Sequence, residues 1–169
     1  MMTNNQRIIA QQQELIHQLS WYPNYGCFNR GGFEHVKWPE IAHKAKWIVY
    51  FDVNGVHQIN EKHGTYAAFN AMMKEVLSKF RAADIVAALY NSGDEFLLCI
   101  TEEPAKTAND RRKILDPEKL IERLTEELAR HGLTALFAIE QVRSPLLDDN
   151  IKPAADRVLA AKIARGISR

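Results

Sequence analysis

The chain has 169 residues, a length that fits one globular domain, and 46% of them are apolar and 25% charged. The 22 basic and 21 acidic side chains nearly cancel, which argues against a nucleic-acid partner and against an anionic membrane surface. No apolar run is long enough to span a bilayer, and the polar N-terminus lacks the apolar core of a signal peptide. We therefore expect a cytoplasmic protein with no membrane partner.

The apolar pattern along the chain predicts helices alternating with short strands. The run at 47–53 is β-branched and aromatic, and it is apolar on both faces until its aspartate, as expected of a central strand. Two apolar runs on either side of a Gly-Asp turn predict a β-hairpin. In chain order we expect a helix at 5–19, a turn-rich passage at 21–30, a short helix at 32–46 interrupted at Pro39, the strand at 47–53, a polar loop at 54–64, a helix at 66–80, hairpin strands at 85–89 and 95–100, a charged surface loop at 104–115, a helix at 117–130, a strand at 133–142 and a helix at 151–164.

These elements predict an α+β domain in which helices cover a central, mostly antiparallel sheet. We divide the chain into an N-terminal, linker-like helix at 1–20 and one domain at 21–169. In the helix, Ile8 and Leu15 are seven residues apart, as are Ile9 and Ile16, which is the spacing of a short coiled-coil seam. Two heptads are too few to be stable alone. The helix therefore either packs on its own domain or pairs with that of a second copy.

Three acidic residues are expected to lie close together at one edge of the predicted sheet. Asp52 ends the predicted central strand, and Asp94 and Glu95 lie in the hairpin turn. Enzymes that build phosphodiesters use divalent cations held by a few carboxylates, which bridge the attacking hydroxyl, the α-phosphate and the leaving pyrophosphate. The alternative is that the three residues are solvated caps, as acidic residues at strand ends and in turns commonly are.

Four motifs, in the right order, resemble those of GGDEF domains, the nucleotidyl cyclases with a polymerase-palm-like fold. The resemblance runs from about residue 22 to about residue 166 and implies that palm-like fold for 21–169. The motifs are Asn29-Arg30-x-x-Phe33, then Phe51-Asp52-Val53-Asn54-Gly55-Val56-x-x-Ile59-Asn60-x-x-x-Gly64, then Ser92-Gly93-Asp94-Glu95-Phe96, and finally Ala155-Asp156-Arg157-Val158-Leu159-x-Ala161-Lys162.

The resemblance implies a catalytic site that uses Mg²⁺ or Mn²⁺. Asp52 and Asp94 would bind the metal with the backbone carbonyl of Val53, and Glu95 would bind metal or accept the proton of the attacking hydroxyl. In such domains two copies face each other, and each holds one nucleoside triphosphate. The resemblance therefore also implies a homodimer.

The resemblance further implies a nucleotide site around these carboxylates. Lys162 would place a positive charge on the triphosphate, and Asn60 would hydrogen-bond the edge of the base. The backbone amides that would cradle the phosphates belong to Gly55, Val56 and His57, and the small residues that would let the hairpin approach the α-phosphate are Ser92 and Gly93.

The chain departs from the family pattern at the base and in the hairpin. Ser92 stands where members carry glycine, and the stretch before it is about two residues longer than usual. Members that use GTP carry an aspartate at the position that falls here on Phe69, or on Asn70 if one residue is inserted. Neither is a carboxylate, which puts guanine specificity in doubt. Phe69 is otherwise a plain core residue, and Asn70 has an amide that can read adenine.

A further pattern, Arg81-Ala82-Ala83-Asp84, spells the RxxD that binds the cyclic product in many relatives. Arg81 and Asp84 are therefore candidates for a product-inhibition site. The alternative is an ion pair or a cap at the end of the preceding helix.

Two functional hypotheses follow from the resemblance and its departures. In the first, the protein is a metal-dependent cyclase that condenses two nucleoside triphosphates, GTP and/or ATP, into a cyclic dinucleotide. A palm-type enzyme that makes a different oligonucleotide is a variant of it. In the second, the protein is a catalytically degenerate module that binds a nucleotide, a cyclic dinucleotide or a protein partner as a sensor or scaffold.

Overall fold

A computed structural model describes residues 3–80, 84–89, 93–102 and 116–166. Helices and short strands alternate as the sequence predicts. The helices are α1 Asn4–Leu19, α2 Arg30–Gly32, α3 Trp38–Ile41, α4 Val56–His63, α5 Ala67–Ser78, α6 Pro117–Arg130 and α7 Leu147–Ala164, with a wide π-helical turn at Phe33–Lys37 between α2 and α3. The strands are β1 Trp21–Tyr22, β2 Cys27–Asn29, β3 Ala45–Asn54, β4 Asp84–Ala88, β5 Glu95–Thr101 and β6 Thr134–Gln141.

The strands form one sheet in the order β1-β2-β4-β5-β3-β6. The pairing of β2 with β4 is parallel, and all the other pairings are antiparallel. The predicted α+β domain with a mostly antiparallel sheet and an N-terminal helix is therefore confirmed. The predicted hairpin is the antiparallel pair of β4 and β5, and β3 lies between β5 and β6 as a central strand.

The alternation of side chains along β3 separates two cores, one on each face of the sheet. Val49 and Phe51 face the first core, which is covered by α5 and α6. Ile48 and Tyr50 face the second core, which is covered by the helical turns at 33–41 and by α7. Asp52 continues this second series, so the alternation directs its carboxylate toward α7.

Four predicted elements were wrong in part. The loop predicted at 54–64 contains the helix Val56–His63, and the turn-rich passage at 21–30 contains two short strands. The short helix predicted at 32–46 is three consecutive helical pieces that begin at Arg30 and end at Ile41. Pro39 lies in the first turn of the last piece, α3, where a proline costs no hydrogen bond. The last helix begins earlier than expected, at Leu147. The loop predicted at 104–115 falls outside the described residues.

Helix α1 does not pack its apolar side on its own domain. Every residue from Asn4 to Leu19 is exposed, including three isoleucines and two leucines, of which Leu19 is 70% exposed. Of the two alternatives for this helix, pairing with a second copy is the one that remains a prediction. Over the part of the chain that is described, no helix combines the length and the apolar character needed to cross a membrane.

Candidate active site

Two of the predicted carboxylates meet directly across the sheet. Asp52 in β3 is paired with Glu95 in β5, and the alternation in each strand places both side chains on the face covered by α7. Both side chains line a cavity of about 200 Å³, whose opposite wall is formed by Asp156, Leu159 and Lys162 of α7. The sheet edge predicted to gather the acidic residues therefore opens onto a small polar cavity.

A lysine from α7 holds the aspartate. The Nζ atom of Lys162 lies 2.5 Å from Oδ2 of Asp52, and the two side chains are only 12% and 3% exposed. The other carboxylate oxygen, Oδ1, is buried and accepts no hydrogen bond from any described residue. A buried acceptor without a donor costs free energy, so the site keeps one oxygen of Asp52 ready for a further ligand.

Burial raises the pKa of Asp52 to about 6. The hydrogen bond from Lys162 opposes this rise by stabilising the charged form, while the negative charges of Asp94 and Glu95 add to it. Because the pKa of Asp52 is raised overall, the stabilisation of its charge by Lys162 is smaller than the combined effect of burial and of the two neighbouring carboxylates. Such a site attracts additional positive charge.

The start of the hairpin strand is fastened by an aromatic residue that sequence reasoning did not select. The hydroxyl of Tyr25, buried to 1% exposure, donates to the carbonyl oxygen of Gly93 at 3.2 Å. Its ring packs edge-on against Phe69 and Phe96, and burial raises its pKa well above the usual value, so the phenol remains a donor. The backbone N–H of Val53 donates to the carbonyl of Asp94 at 2.8 Å. These two bonds fix the chain entering Glu95.

The predicted phosphate-binding amides lie at the start of α4. Gly55, at φ +89°, is the left-handed residue that turns the chain from the end of β3 into this helix. Val56 and His57 are its first two residues, and neither an acidic side chain nor a capping hydrogen bond occupies this end. The first N–H groups of a helix have no partner inside it and favour anions.

The residues predicted around the base divide into two kinds. Phe69 is fully buried in the core beneath Tyr25 and presents no surface to a ligand. Asn60 and Asn70 are half-buried, and the side-chain oxygen of each is buried without a hydrogen bond from any described residue. Amides with unpaired acceptors are suited to a ligand that carries N–H donors.

Several predicted residues are placed only in part. Ser92 and Arg81 lie outside the described residues. Asp84 begins β4, opposite Ile100, and Gly93 and Asp94 lie immediately before β5. The product-inhibition site proposed for Arg81 and Asp84 therefore stays a prediction.

The donor chemistry of the site fits a hard divalent cation, but the donors are not gathered into a closed set. Asp52 and Glu95 face one cavity, and the buried, unpaired Oδ1 of Asp52 is the kind of oxygen that Mg²⁺ or Mn²⁺ prefers. Nevertheless, residues 3–80, 84–89, 93–102 and 116–166 contain no group of three His, Cys, Asp or Glu side chains arranged to hold a metal ion. The positive charge beside Asp52 is instead the ammonium of Lys162.

No protein-family model matches the sequence, and no curated protein matches it significantly. Solved structures do match. A sensory box/GGDEF family protein from Caulobacter crescentus has a TM-score of 0.63 at 18% identity, over 86% of this chain and 99% of that one. The diguanylate cyclase SiaD of Pseudomonas aeruginosa, solved with its activator SiaC, has a TM-score of 0.64 at 17% identity, over 96% of this chain and 66% of that one.

A third structure, the coiled coil and GGDEF domain of DgcB from Caulobacter crescentus in complex with c-di-GMP, has a TM-score of 0.63 at 11% identity. This match covers 95% of the present chain and 88% of DgcB. In the present chain, the sheet order and the carboxylate of Asp52 near the end of the central strand β3 define an α+β domain of the palm type. The structural matches show that this is the fold of GGDEF domains, as the four sequence motifs predicted.

Proposed function

We propose that the protein is a metal-dependent nucleotidyl cyclase that condenses two nucleoside triphosphates, GTP and/or ATP, into a cyclic dinucleotide. The observation that carries this proposal is the cross-strand pair of Asp52 and Glu95, which faces Lys162 across one cavity. Burying Asp52 beside Glu95 costs stability, because Asp52 loses water and the two negative charges repel each other. Such an arrangement is expected where the charges serve binding or catalysis.

The roles of the acidic residues are those implied by the resemblance, and the placement of Asp52 and Glu95 in one cavity supports them. Asp52, Asp94 and Glu95 would hold Mg²⁺ or Mn²⁺, together with the carbonyl of Val53. The metal, when bound, would activate the attacking 3′-hydroxyl and neutralise charge on the α-phosphate. Glu95 opens β5, lines the cavity and would accept the proton of that hydroxyl.

The triphosphate would be bound by charge and by backbone amides. The free N–H groups at the start of α4, at Gly55, Val56 and His57, suit the β and γ phosphates. Lys162 would supply a positive charge from α7, and Gly93 would admit the α-phosphate. Most of the rate would then come from positioning and charge stabilisation.

The amides of Asn60 and Asn70 support a purine substrate. Each has a buried side-chain oxygen without a donor, and the edges of both guanine and adenine carry N–H groups. A site built on hydrogen bonds discriminates against bases that leave them unmade. Because Asn70 is not a carboxylate, we propose both GTP and ATP as substrates. We also propose that the protein acts in the cytoplasm.

The reaction requires two copies of the chain, because one site holds one of the two substrates. The exposed apolar residues of α1, with Ile8 and Leu15 seven apart, offer a surface on which two copies can pair. We therefore propose a homodimer as the active form.

A second candidate function is a degenerate module that binds a nucleotide or a cyclic dinucleotide without turnover. Two observations favour it: Lys162 holds Asp52, and the described residues form no closed set of three metal donors. DgcB, which shares the fold, was solved with c-di-GMP. Such a module would bind the same ligand class at this site or at Arg81 and Asp84.

The two functions separate in a product assay. The purified protein is incubated with each nucleoside triphosphate, singly and in pairs, with Mg²⁺ or Mn²⁺, and the products are resolved by chromatography and mass. We expect a cyclic dinucleotide from the native chain and at least about a 100-fold loss in Asp52→Asn and Glu95→Gln, because each removes a charged group that acts in the transition state.

Glu102→Gln is the matched control, since Glu102 follows the other end of β5 and pairs with Lys46. It should retain the native rate. If no product forms while nucleotide binding remains detectable, the degenerate module is the correct function. If Asp52→Asn makes product at the native rate, the site assigned here is wrong.

A further inference from the structure

The ion pair between Lys162 and Asp52 is more enclosed than the others that the structure describes. Both side chains are at most 12% exposed, whereas every other described ion pair has at least one partner that is 34% or more exposed. A buried carboxylate requires a compensating positive charge. Without a metal, Lys162 is the group that supplies it.

The same carboxylate is the central metal ligand of the proposed function. The ammonium lies 2.5 Å from Oδ2, while Oδ1 has no partner among the described residues. Mg²⁺ binds oxygen ligands at about 2.0–2.1 Å, so a metal on Asp52 would be within a few ångströms of the ammonium. Two positive charges a few ångströms apart in a poorly hydrated site repel each other strongly, and a divalent ion doubles the repulsion that the ammonium experiences. Lys162 and a metal cannot both stay there at low cost.

We propose that Lys162 is an internal competitor of the divalent cation, which neutralises Asp52 in the metal-free site and leaves it when the cation binds. The inference rests on the proposed function for the identity of the metal ligands, but not on turnover. The displaced ammonium remains on α7 at the wall of the same cavity, where it meets the negative charge of an incoming triphosphate. Metal binding and nucleotide binding are thereby coupled through one side chain.

Mn²⁺ binding to the full chain, without nucleotide, tests this competition. Binding is followed by the electron-spin resonance of free Mn²⁺ at about pH 8, well above the usual pKa of a carboxyl group. We expect Lys162→Met to bind Mn²⁺ at least about tenfold more tightly than the native chain. Lys162→Arg keeps the charge and should bind as weakly as the native chain.

Two controls separate direct competition from a general change of charge. Lys46→Met removes the same charge from the opposite end of β3, six residues or about 20 Å from Asp52, and should leave Mn²⁺ affinity unchanged. In an Asp52→Asn background, Lys162→Met should no longer tighten binding, because the shared ligand is gone. Tightening that persists in this background overturns the proposal.

Thermal unfolding supplies a second readout that does not need a well-behaved binding isotherm. If Lys162→Met is folded but marginal, Mn²⁺ should raise its Tm more than it raises that of the native chain. Equal or weaker Mn²⁺ binding by Lys162→Met, or no Mn²⁺ binding by either protein, contradicts the competition. Formation of a cyclic dinucleotide by the native chain in that case leaves the proposed function standing and refutes only the role of Lys162.

Discussion

The two ends of strand β3 carry the same kind of ion pair in opposite surroundings. At the first end, Nζ of Lys46 lies 3.0 Å from Oε1 of Glu102, and the two side chains are 40% and 30% exposed. At the other end, Lys162 lies 2.5 Å from Asp52, and the side chains are 12% and 3% exposed. Water screens the first pair, so it contributes little, while the second is enclosed and each partner depends on the other. The difference in solvent access therefore determines how much each ion pair affects the stability of the fold.

Along this one strand, the exposed pair serves the structure and the buried pair belongs to the proposed site. The exposed pair closes the gap between the start of β3 and the end of β5, and its loss leaves both charges in water. The buried pair stands beside Asp94 and Glu95, whose charges raise the pKa of Asp52 further. If substitutions in the two ion pairs changed stability by the same amount, the structure would give no reason to assign a binding role to the pair at Asp52.

The largest expected effect is on stability without metal. Lys162→Met leaves Asp52 buried without its counter-charge, and we expect the free energy of unfolding to fall by about 3 kcal/mol. Lys46→Met, the equivalent change at the exposed end, should cost less than about 1 kcal/mol. The measurement is urea unfolding of the three proteins at about pH 8 with a chelator present. Similar losses for both variants would show that burial does not distinguish the pairs.

The second effect is a dependence on pH that belongs only to the Asp52 end. The folded-state pKa of about 6 lies above the model value of 3.8, so the folded protein holds this proton more tightly than the unfolded chain does. Stability is therefore highest, as far as Asp52 is concerned, below about pH 4, and it is lost as the pH rises toward 6. The loss is about 2 to 3 kcal/mol, and it persists at higher pH.

Asp52→Asn isolates this contribution, because the amide does not titrate. The difference in unfolding free energy between the native chain and Asp52→Asn, measured without metal from about pH 4 to about pH 7, should change by that amount in favour of the variant. A difference that is constant over this range would mean that the folded-state pKa of Asp52 is not raised.

The sequence was sufficient to predict the part of the site that depends on alternation. Asp52 shares the parity of Ile48 and Tyr50, so its face follows from the strand itself. Strand β5 of the hairpin pairs antiparallel with β3, so Glu95 at the start of β5 lies opposite Asp52 near the end of β3. The helix Val56–His63 was missed because its residues are mostly polar and none is buried, which leaves no apolar stripe to detect.

The ion pair of Lys162 and Asp52 depends on how α7 docks across the sheet, and no local pattern encodes that distance. The motif assigned Lys162 to a triphosphate, and the structure places it on a carboxylate 110 positions earlier in the chain. Strands β1 and β2 were missed for a related reason. With two and three residues they are too short to show alternation, and they exist because β2 pairs with β4.

The smallest effect concerns the attachment of the hairpin beside Asp52. Tyr25→Phe keeps the buried ring against Phe69 and Phe96 and removes only the hydroxyl that donates to Gly93. The carbonyl of Gly93 then loses its donor, so we expect unfolding to become easier by about 1 kcal/mol, as for a typical neutral hydrogen bond. Tyr66→Phe is the matched control, because Tyr66 is 53% exposed and its hydroxyl has water available.

The hydrogen bond of Tyr25 to Gly93 also bears on catalysis, because Glu95 lies two residues further along the chain. If Tyr25 fixes the chain entering β5, Tyr25→Phe should lower the rate of product formation severalfold while the affinity for nucleotide changes little, because a small misplacement of a catalytic group mainly reduces turnover. A loss of stability without a change in rate would assign Tyr25 to the core alone. It would then follow that the bond from Val53 to the carbonyl of Asp94 is sufficient to hold Glu95 opposite Asp52.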